Sequence, residues 1–127
     1  MMPSVCRLAF SVVVLSGCSA PAPTPVSIHH ISQSGQGAYE VSLAVSDAGL
    51  AAAWYDTRDG NPEIYARRLG PDGRPTGPEW RLTADLQLSY EADVALLDDS
   101  LVVAWYDRSS DGRLESRVGR WARDGTR

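Results

Sequence analysis

Two triplets, Trp54-Tyr55-Asp56 and Trp105-Tyr106-Asp107, carry the side chains best suited to chemistry with a ligand. An indole face stacks on pyranose C–H groups while a carboxylate accepts hydroxyl protons, so Trp54, Asp56, Trp105 and Asp107 are candidate ligand-binding residues, with carbohydrate as the ligand. A strand sends successive side chains to opposite faces. Trp and Tyr would then each pack against one neighbouring layer, and the Asp would cap the following turn through backbone N–H groups. We take packing as the first role of these triplets and ligand contact as the second.

Other polar clusters are weaker. Asp56, Asp59 and Glu63, with their counterparts Asp107, Asp111 and Glu115, supply the oxygens that calcium favours. They lack the alternating order of a calcium loop, and Arg58 and Arg108 sit inside the clusters, so ion-paired turns are expected and no metal is assigned. His29 and His30 are adjacent, which on a strand points them apart, and no third ligand accompanies them. Arg58, Arg68, Arg108 and Arg120 could meet an acidic ligand, but Arg68 and Arg120 recur at equivalent positions, which favours a repeated ion pair. No phosphate loop, nucleophile elbow or Cys/His pair occurs, so no catalytic residue and no cofactor are assigned.

These residues sit in a chain of 127 residues, room for one small domain behind an export segment. All 12 cations are Arg, against 16 Asp and Glu, for a net charge of -4. That balance excludes general nucleic-acid binding, which needs a dense cationic face. Leu8 to Leu15 (LAFSVVVL) is apolar apart from Ser11. It is far shorter than the roughly 20 residues that cross a bilayer and has the character of an export signal.

The run ends in Leu15-Ser16-Gly17-Cys18, which resembles the lipobox of bacterial lipoproteins: Leu, two small residues and an obligatory Cys. The resemblance implies a signal peptide over 1–17, acylation of Cys18, and a lipid bilayer as partner. Several acyl chains bury enough methylenes, at about 0.8 kcal/mol each, to hold a soluble domain on a membrane. Ser19 resembles the pattern sorted to the outer membrane, which implies a cell-envelope location. Cys6 would leave with the signal, so no disulfide framework is expected. Residues 18–25, through SAPAPTP, form a Pro-rich tether.

The remainder, 26–127, repeats. Tyr39-Glu40 recurs as Tyr90-Glu91, and Ala53-Trp54-Tyr55-Asp56 as Ala104-Trp105-Tyr106-Asp107, both at an offset of 51. After one inserted residue, Asp59-Gly60 matches Asp111-Gly112, Arg68 matches Arg120, and Asp72-Gly73 matches Asp124-Gly125. The offset of 51 also aligns His30-Ile31-Ser32 with Arg81-Leu82-Thr83. A period near 50 residues signifies stacked or radial modules.

Strands are expected over Val41–Val45, Leu50–Tyr55, Glu63–Leu69 and Glu79–Thr83, separated by Asp-Gly and Asn-Pro turns. The continuously apolar runs Leu50–Tyr55 and Leu101–Tyr106 should be buried on both faces. No stretch has a sustained helical period. The fold class expected is all-β: two four-stranded antiparallel blade-like repeats, about 39–89 and 90–127, of a partial β-propeller, with a lone fourth-type strand at Val26–Ser32. A β-sandwich is the alternative. The repeat wording AWYDTRDGNPEIYARRLGPDG resembles secreted bacterial propellers of the sialidase-like or TolB-like kind. The sialidase Asp-box is not met at Ser46-Asp47-Ala48-Gly49 or Leu97-Asp98-Asp99-Ser100, so no catalytic residue carries over.

Two modules do not close a ring, so the expectation is either a piece of a longer chain or a homo-oligomer. The leading functional reading is a cell-envelope lipoprotein whose partial propeller binds or scaffolds without catalysis, with carbohydrate or an envelope protein as partner. The alternatives are the amino-terminal part of a sialidase-like glycoside hydrolase and a two-blade lectin that closes its ring by oligomerisation. All require Trp54 and Trp105 to have similar surroundings and no helix to follow the tether.

Overall fold

Seven strands in two antiparallel sheets make up the computed structural model, which describes residues 27–127 apart from Gln36 and Ala48. The signal segment, the tether and Cys18 lie outside the described residues. The first sheet runs β1 (Ala38–Ser46), β2 (Gly49–Asp56), β3 (Glu63–Leu69) and β4 (Trp80–Arg81), and the second β5 (Leu88–Leu97), β6 (Ser100–Arg108) and β7 (Leu114–Trp121). Neighbours in sequence are neighbours in the sheet, in the orders β1-β2-β3-β4 and β5-β6-β7. The described residues contain no helix.

Composition and turns explain these elements. β-Branched and aromatic residues favour the extended chain, and glycines close the connections. Gly60, Gly73, Gly112 and Gly125, the second members of the repeated Asp-Gly pairs, all have positive φ, between 79° and 98°, a backbone that glycine adopts without Cβ strain. The register of β2 on β3 runs unbroken from Leu50↔Leu69 to Asp56↔Glu63, and that of β6 on β7 from Leu101↔Trp121 to Arg108↔Leu114.

A second signature of repetition is backbone strain. Pairing of β1 with β2 shifts between Tyr39 and Ser42, and pairing of β5 with β6 shifts between Tyr90 and Asp93. Glu40 and Glu91 occupy these bulges, each at φ 51°. A left-handed conformation costs a residue other than Gly, Asn or Asp about 1–2 kcal/mol. The exposed Glu91 is therefore a place where stability can be gained. Glu91→Asn is expected to raise the unfolding free energy by about 0.5–1 kcal/mol, measured as a higher urea midpoint; an unchanged or lower midpoint would contradict it.

The sheets stack with unlike faces in contact. We call the face bearing Trp54 or Trp105 the front and that bearing Tyr55 or Tyr106 the back. The shared core joins back-face residues of the first sheet, Ala44, Ala51, Ala53, Ile64 and Ala66, to front-face residues of the second, Ala92, Val94, Leu101, Val103, Trp105 and Trp121. A smaller core lies on the first sheet's front, where Ala52, Trp54, Tyr65 and Leu69 are joined by Leu50 and by Ile31 from the preceding segment. Leu50, Ala52, Trp54 and Leu69 are the repeat counterparts of Leu101, Val103, Trp105 and Trp121. Each sheet thus buries the same front positions, but beneath different cover.

Several expectations need correction. Among the described residues the second sheet has three strands, so two four-stranded repeats are not observed, and those residues form no closed ring of strands. Residues 27–32 form no strand: their backbone crosses the first sheet's front, where Arg67 donates to the Ile31 carbonyl at 3.1 Å. The expected strand over Glu79–Thr83 contracts to Trp80–Arg81; past Arg81 the ladder gives way to a side-chain bond, the Ile64 N–H donating to Thr83 Oγ1 at 2.9 Å.

Leu50–Tyr55 is covered on both faces, but in Leu101–Tyr106 burial alternates, with Ala104 and Tyr106 exposed. Among the described residues, no layer lies on the second sheet's back. Trp54 and Trp105 hold the same sheet position, 1% and 5% exposed, but the expected likeness of their surroundings is not met: the 27–35 segment covers one and the first sheet the other.

Candidate functional site

Each Trp-Tyr-Asp triplet ends a strand at the same rim of its sheet, and the alternation separates Trp from Tyr. Trp54 stacks on Tyr65 with ring centroids 6.4 Å apart, and Trp105 packs against Trp121 at 6.0 Å. Tyr55 turns the other way, into the junction between sheets, stacked on Tyr39 at 5.2 Å and edge-on to Tyr90 at 5.3 Å. Trp54, Tyr55 and Trp105 pack as anticipated, whereas Tyr106, 40% exposed, meets no neighbouring layer among the described residues.

The two aspartates are fully buried and each meets several donors, although Asp107 Oδ2 has no hydrogen bond and faces Arg117 only as an ion pair. Asp56 accepts from Ser34 Oγ at 2.9 Å, from the Arg58 backbone N–H at 2.9 Å and from Arg58 Nη2 at 2.5 Å. Burial by itself would raise its pKa. The hydrogen bonds from Arg58 and Ser34, with the guanidinium charge, outweigh that and hold the carboxyl below its ordinary value. Asp107 accepts from Ser89 Oγ at 2.8 Å and Trp105 Nε1 at 2.7 Å, with Arg117 Nε at 2.8 Å. The same sequence position is thus satisfied by different donors in the two modules. Only the turn N–H contact at Asp56 follows the capping pattern expected from sequence.

Arginines knit the rest of this rim. Arg58 also reaches Glu79 at 2.6 Å and lies 4.3 Å from the Tyr65 ring centroid. The hydrogen bond to Asp56 raises its pKa further above the ordinary guanidinium range. Tyr65 donates its hydroxyl to Asp59, and burial with that bond pushes its pKa up. Glu63 is fully buried, accepting from Arg81 at 2.9 Å, Thr83 Oγ1 at 2.5 Å and Asn61 at 3.1 Å. Its counterpart Glu115 has a side chain 56% exposed and pairs with Arg117 at 3.2 Å. Among the described residues, no group of His, Cys, Asp and Glu is arranged to hold a metal.

An open ligand-sized space lies elsewhere, in a cleft of about 470 Å³ beside the junction of the sheets. Arg68, Thr76, Trp80, Arg123 and Asp124 are its side chains with chemistry to offer, alongside Gly77 and Pro78. Its volume falls within the range of small-molecule sites. Arg68 Nη2 donates to the Asp99 carbonyl, while its buried Nε has no hydrogen-bond partner. Burial, aided by the nearby Arg123 charge, lowers the Arg68 pKa. Arg123 itself pairs with Asp99 at 3.0 Å. A repeated ion pair at Arg68 and Arg120 is not observed: Arg68 binds a backbone carbonyl, and Arg120 is exposed.

The cleft combines a half-buried indole, a hydroxyl, two guanidinium groups and the Asp124 carboxylate, a set suited to stacking and hydrogen-bonding a polar ring. Sequence reasoning missed Thr76, Trp80 and Arg123 because the cleft joins residues far apart in the chain, and no local pattern links them. Arg68 had been singled out, but for its recurrence. His29 and His30 share no site with these residues. Comparison with family models, with curated proteins and with solved structures returned no match.

Proposed function

We propose that the chain is a lipid-anchored, non-catalytic scaffolding or binding domain of the cell envelope, built from propeller-blade modules. The observation that carries this reading is the front-to-back stack of two sequence-equivalent sheets. Modules related by rotation about a common axis meet in this way, because each must offer one face to the neighbour before it and the other to the neighbour after it. A sandwich instead turns two inner faces toward each other and leaves the outer faces polar. Here the back of the second sheet is exposed yet carries Tyr106, Leu114 and Val118.

The anchor rests on Leu15-Ser16-Gly17-Cys18 and its resemblance to a lipobox. Acylation at Cys18 would hold the stacked sheets near the outer membrane, with the Pro-rich 18–25 segment as spacer. Replacing Cys18→Ser is expected to abolish incorporation of labelled fatty acid and to move the protein from the detergent phase to the aqueous phase. Continued labelling of the variant would refute the anchor.

A second reading, a carbohydrate-binding domain, is favoured by one observation: the cleft that brings Trp80 together with Arg68, Arg123 and Thr76. An indole supplies stacking and the guanidinium groups donate to ring oxygens or to an acidic substituent. This reading moves the ligand away from Trp54, Asp56, Trp105 and Asp107, whose side chains are occupied in packing and hydrogen bonds.

A further inference from the structure

We infer that a second copy of this chain docks front to back, seating the front of its first sheet and its residues 30–32 on the back of the second sheet of its neighbour. The inference rests on the module-stacking reading above and extends it from within the chain to between chains. Within the chain, the first sheet's back is covered by the second sheet's front. Two faces then remain without a covering sheet, the first sheet's front, where the 27–35 segment lies over Trp54, and the second sheet's back, and they are the repeat counterparts of that buried pair.

On the exposed front of β1, Val41, Leu43 and Val45 are 60%, 57% and 69% exposed. Their counterparts are Ala92, Val94 and Leu96, all at the internal junction. On the exposed back of the second sheet stands Val118, 69% exposed, the counterpart of the fully buried Ala66. The occupant that fits such a face is already present once in the structure: it is this same module.

Polar and aromatic partners follow the same register. Ser42 donates to its own counterpart Asp93 across the internal junction at 2.6 Å. Repeating the step brings Ser42 of a second copy to Asp93. Tyr55 meets Tyr90 at 5.3 Å, and the repeated step brings Tyr106 to Tyr39 of the second copy. Both rings are partly exposed, at 40% and 47%.

The carboxylate at the start of β3 and β7 points the same way. Glu63 is buried because the connector between the sheets folds over it: Arg81 and Thr83 bind its carboxylate, the Ile64 N–H donates to Thr83 Oγ1 at 2.9 Å, and the Leu82 N–H donates to the Ile64 carbonyl at 2.7 Å. Glu115, the counterpart, has no such connector among the described residues. The sequence counterpart of Arg81-Leu82-Thr83 is His30-Ile31-Ser32. Ile31 already lies over Trp54, as Leu82 lies beside Trp105. A second copy carrying His30 and Ser32 to Glu115 would complete the seam. Such unlike-face contacts propagate into a ring when the rotation closes. With two sheets per copy, the roughly four to eight sheets of a propeller correspond to about two to four copies.

Sedimentation equilibrium of the full chain in density-matched detergent tests this. The parent chain is expected to self-associate, and Val118→Asp or Leu43→Asp, each at an exposed position, to weaken association about tenfold or more. Leu86→Asp, at a fully exposed loop residue, should leave association unchanged.

The decisive sample mixes the first two variants. One retains a good front and the other a good back, so they should form a 1:1 pair that grows no further. A monomeric parent, variants that associate like the parent, or a mixture without the pair would each overturn the inference. Near-ultraviolet dichroism from the Tyr55–Tyr90 and Trp105–Trp121 contacts separates the two levels. Signal retained in a monomer sinks docking and leaves internal stacking standing, whereas signal absent in the parent sinks both.

Discussion

Trp105→Ala is expected to lower the unfolding free energy by about 4–5 kcal/mol, toward the upper end for removing a buried indole, and Trp54→Ala by about 3 kcal/mol. Both side chains are almost fully buried, so transfer alone does not separate them. What separates them is how far each cavity can collapse. Trp105 is walled by two sheets and tilts against Trp121, and its Nε1 donates to the buried Asp107. Removal leaves a rigid void and takes one donor from a buried carboxylate, which adds a desolvation cost. Trp54 is covered by a segment without regular structure, anchored through Ile31, and that cover can settle into the space. Urea unfolding followed by far-ultraviolet dichroism measures the difference. Equal losses, or a larger loss at Trp54, would show that both covers are equally rigid.

The second large effect lies at Asp56. Asp56→Ala strands Arg58 without its nearest carboxylate, and breaking a buried ion pair costs about 3–5 kcal/mol. The Arg58 side chain keeps 20% exposure and retains Glu79 at 2.6 Å, so the expected loss is smaller, about 2–3 kcal/mol. The pH dependence follows from the direction of the shift. The Asp56 carboxyl is held lower in the folded protein than in the unfolded chain. Its contribution is therefore fully present above the unfolded value of about 3.9 and is lost as pH falls through the folded value. Urea midpoints of the parent should decline below about pH 4, and Asp56→Asn should flatten part of that decline. An identical acid limb in the variant would remove Asp56 from the account.

The repeat was the most legible property. Pairs such as Tyr39 and Tyr90, or Tyr55 and Tyr106, share position and register, because strand alternation and turn chemistry act within a few residues. β3 occupies Glu63–Leu69, the boundaries expected from its flanking turns. The failures involve partners distant in sequence. Leu101–Tyr106 has the composition of a strand covered twice, yet alternates in burial, because cover is supplied by another layer. Residues 30–32 are the sequence counterparts of 81–83 but form no strand, since among the described residues no further sheet lies in front of the first.

The site followed the same division. Asp56 and Asp107 could be singled out by type and position, but not the donors that meet them. Ser34 arrives from 22 residues upstream of Asp56 and Ser89 from 18 residues upstream of Asp107. Arg68 was visible as a recurring cation, whereas its place beside Trp80 and Arg123 required the junction of two sheets.

By itself the amino-acid order determined strands, turns, the two-fold repetition and the split of Trp from Tyr across each sheet, all consequences of short-range sterics and alternation. Only the tertiary structure decided which face meets which, why Glu63 is buried while Glu115 is exposed, and where a cleft opens. Those depend on contacts between residues that chain proximity does not bring together.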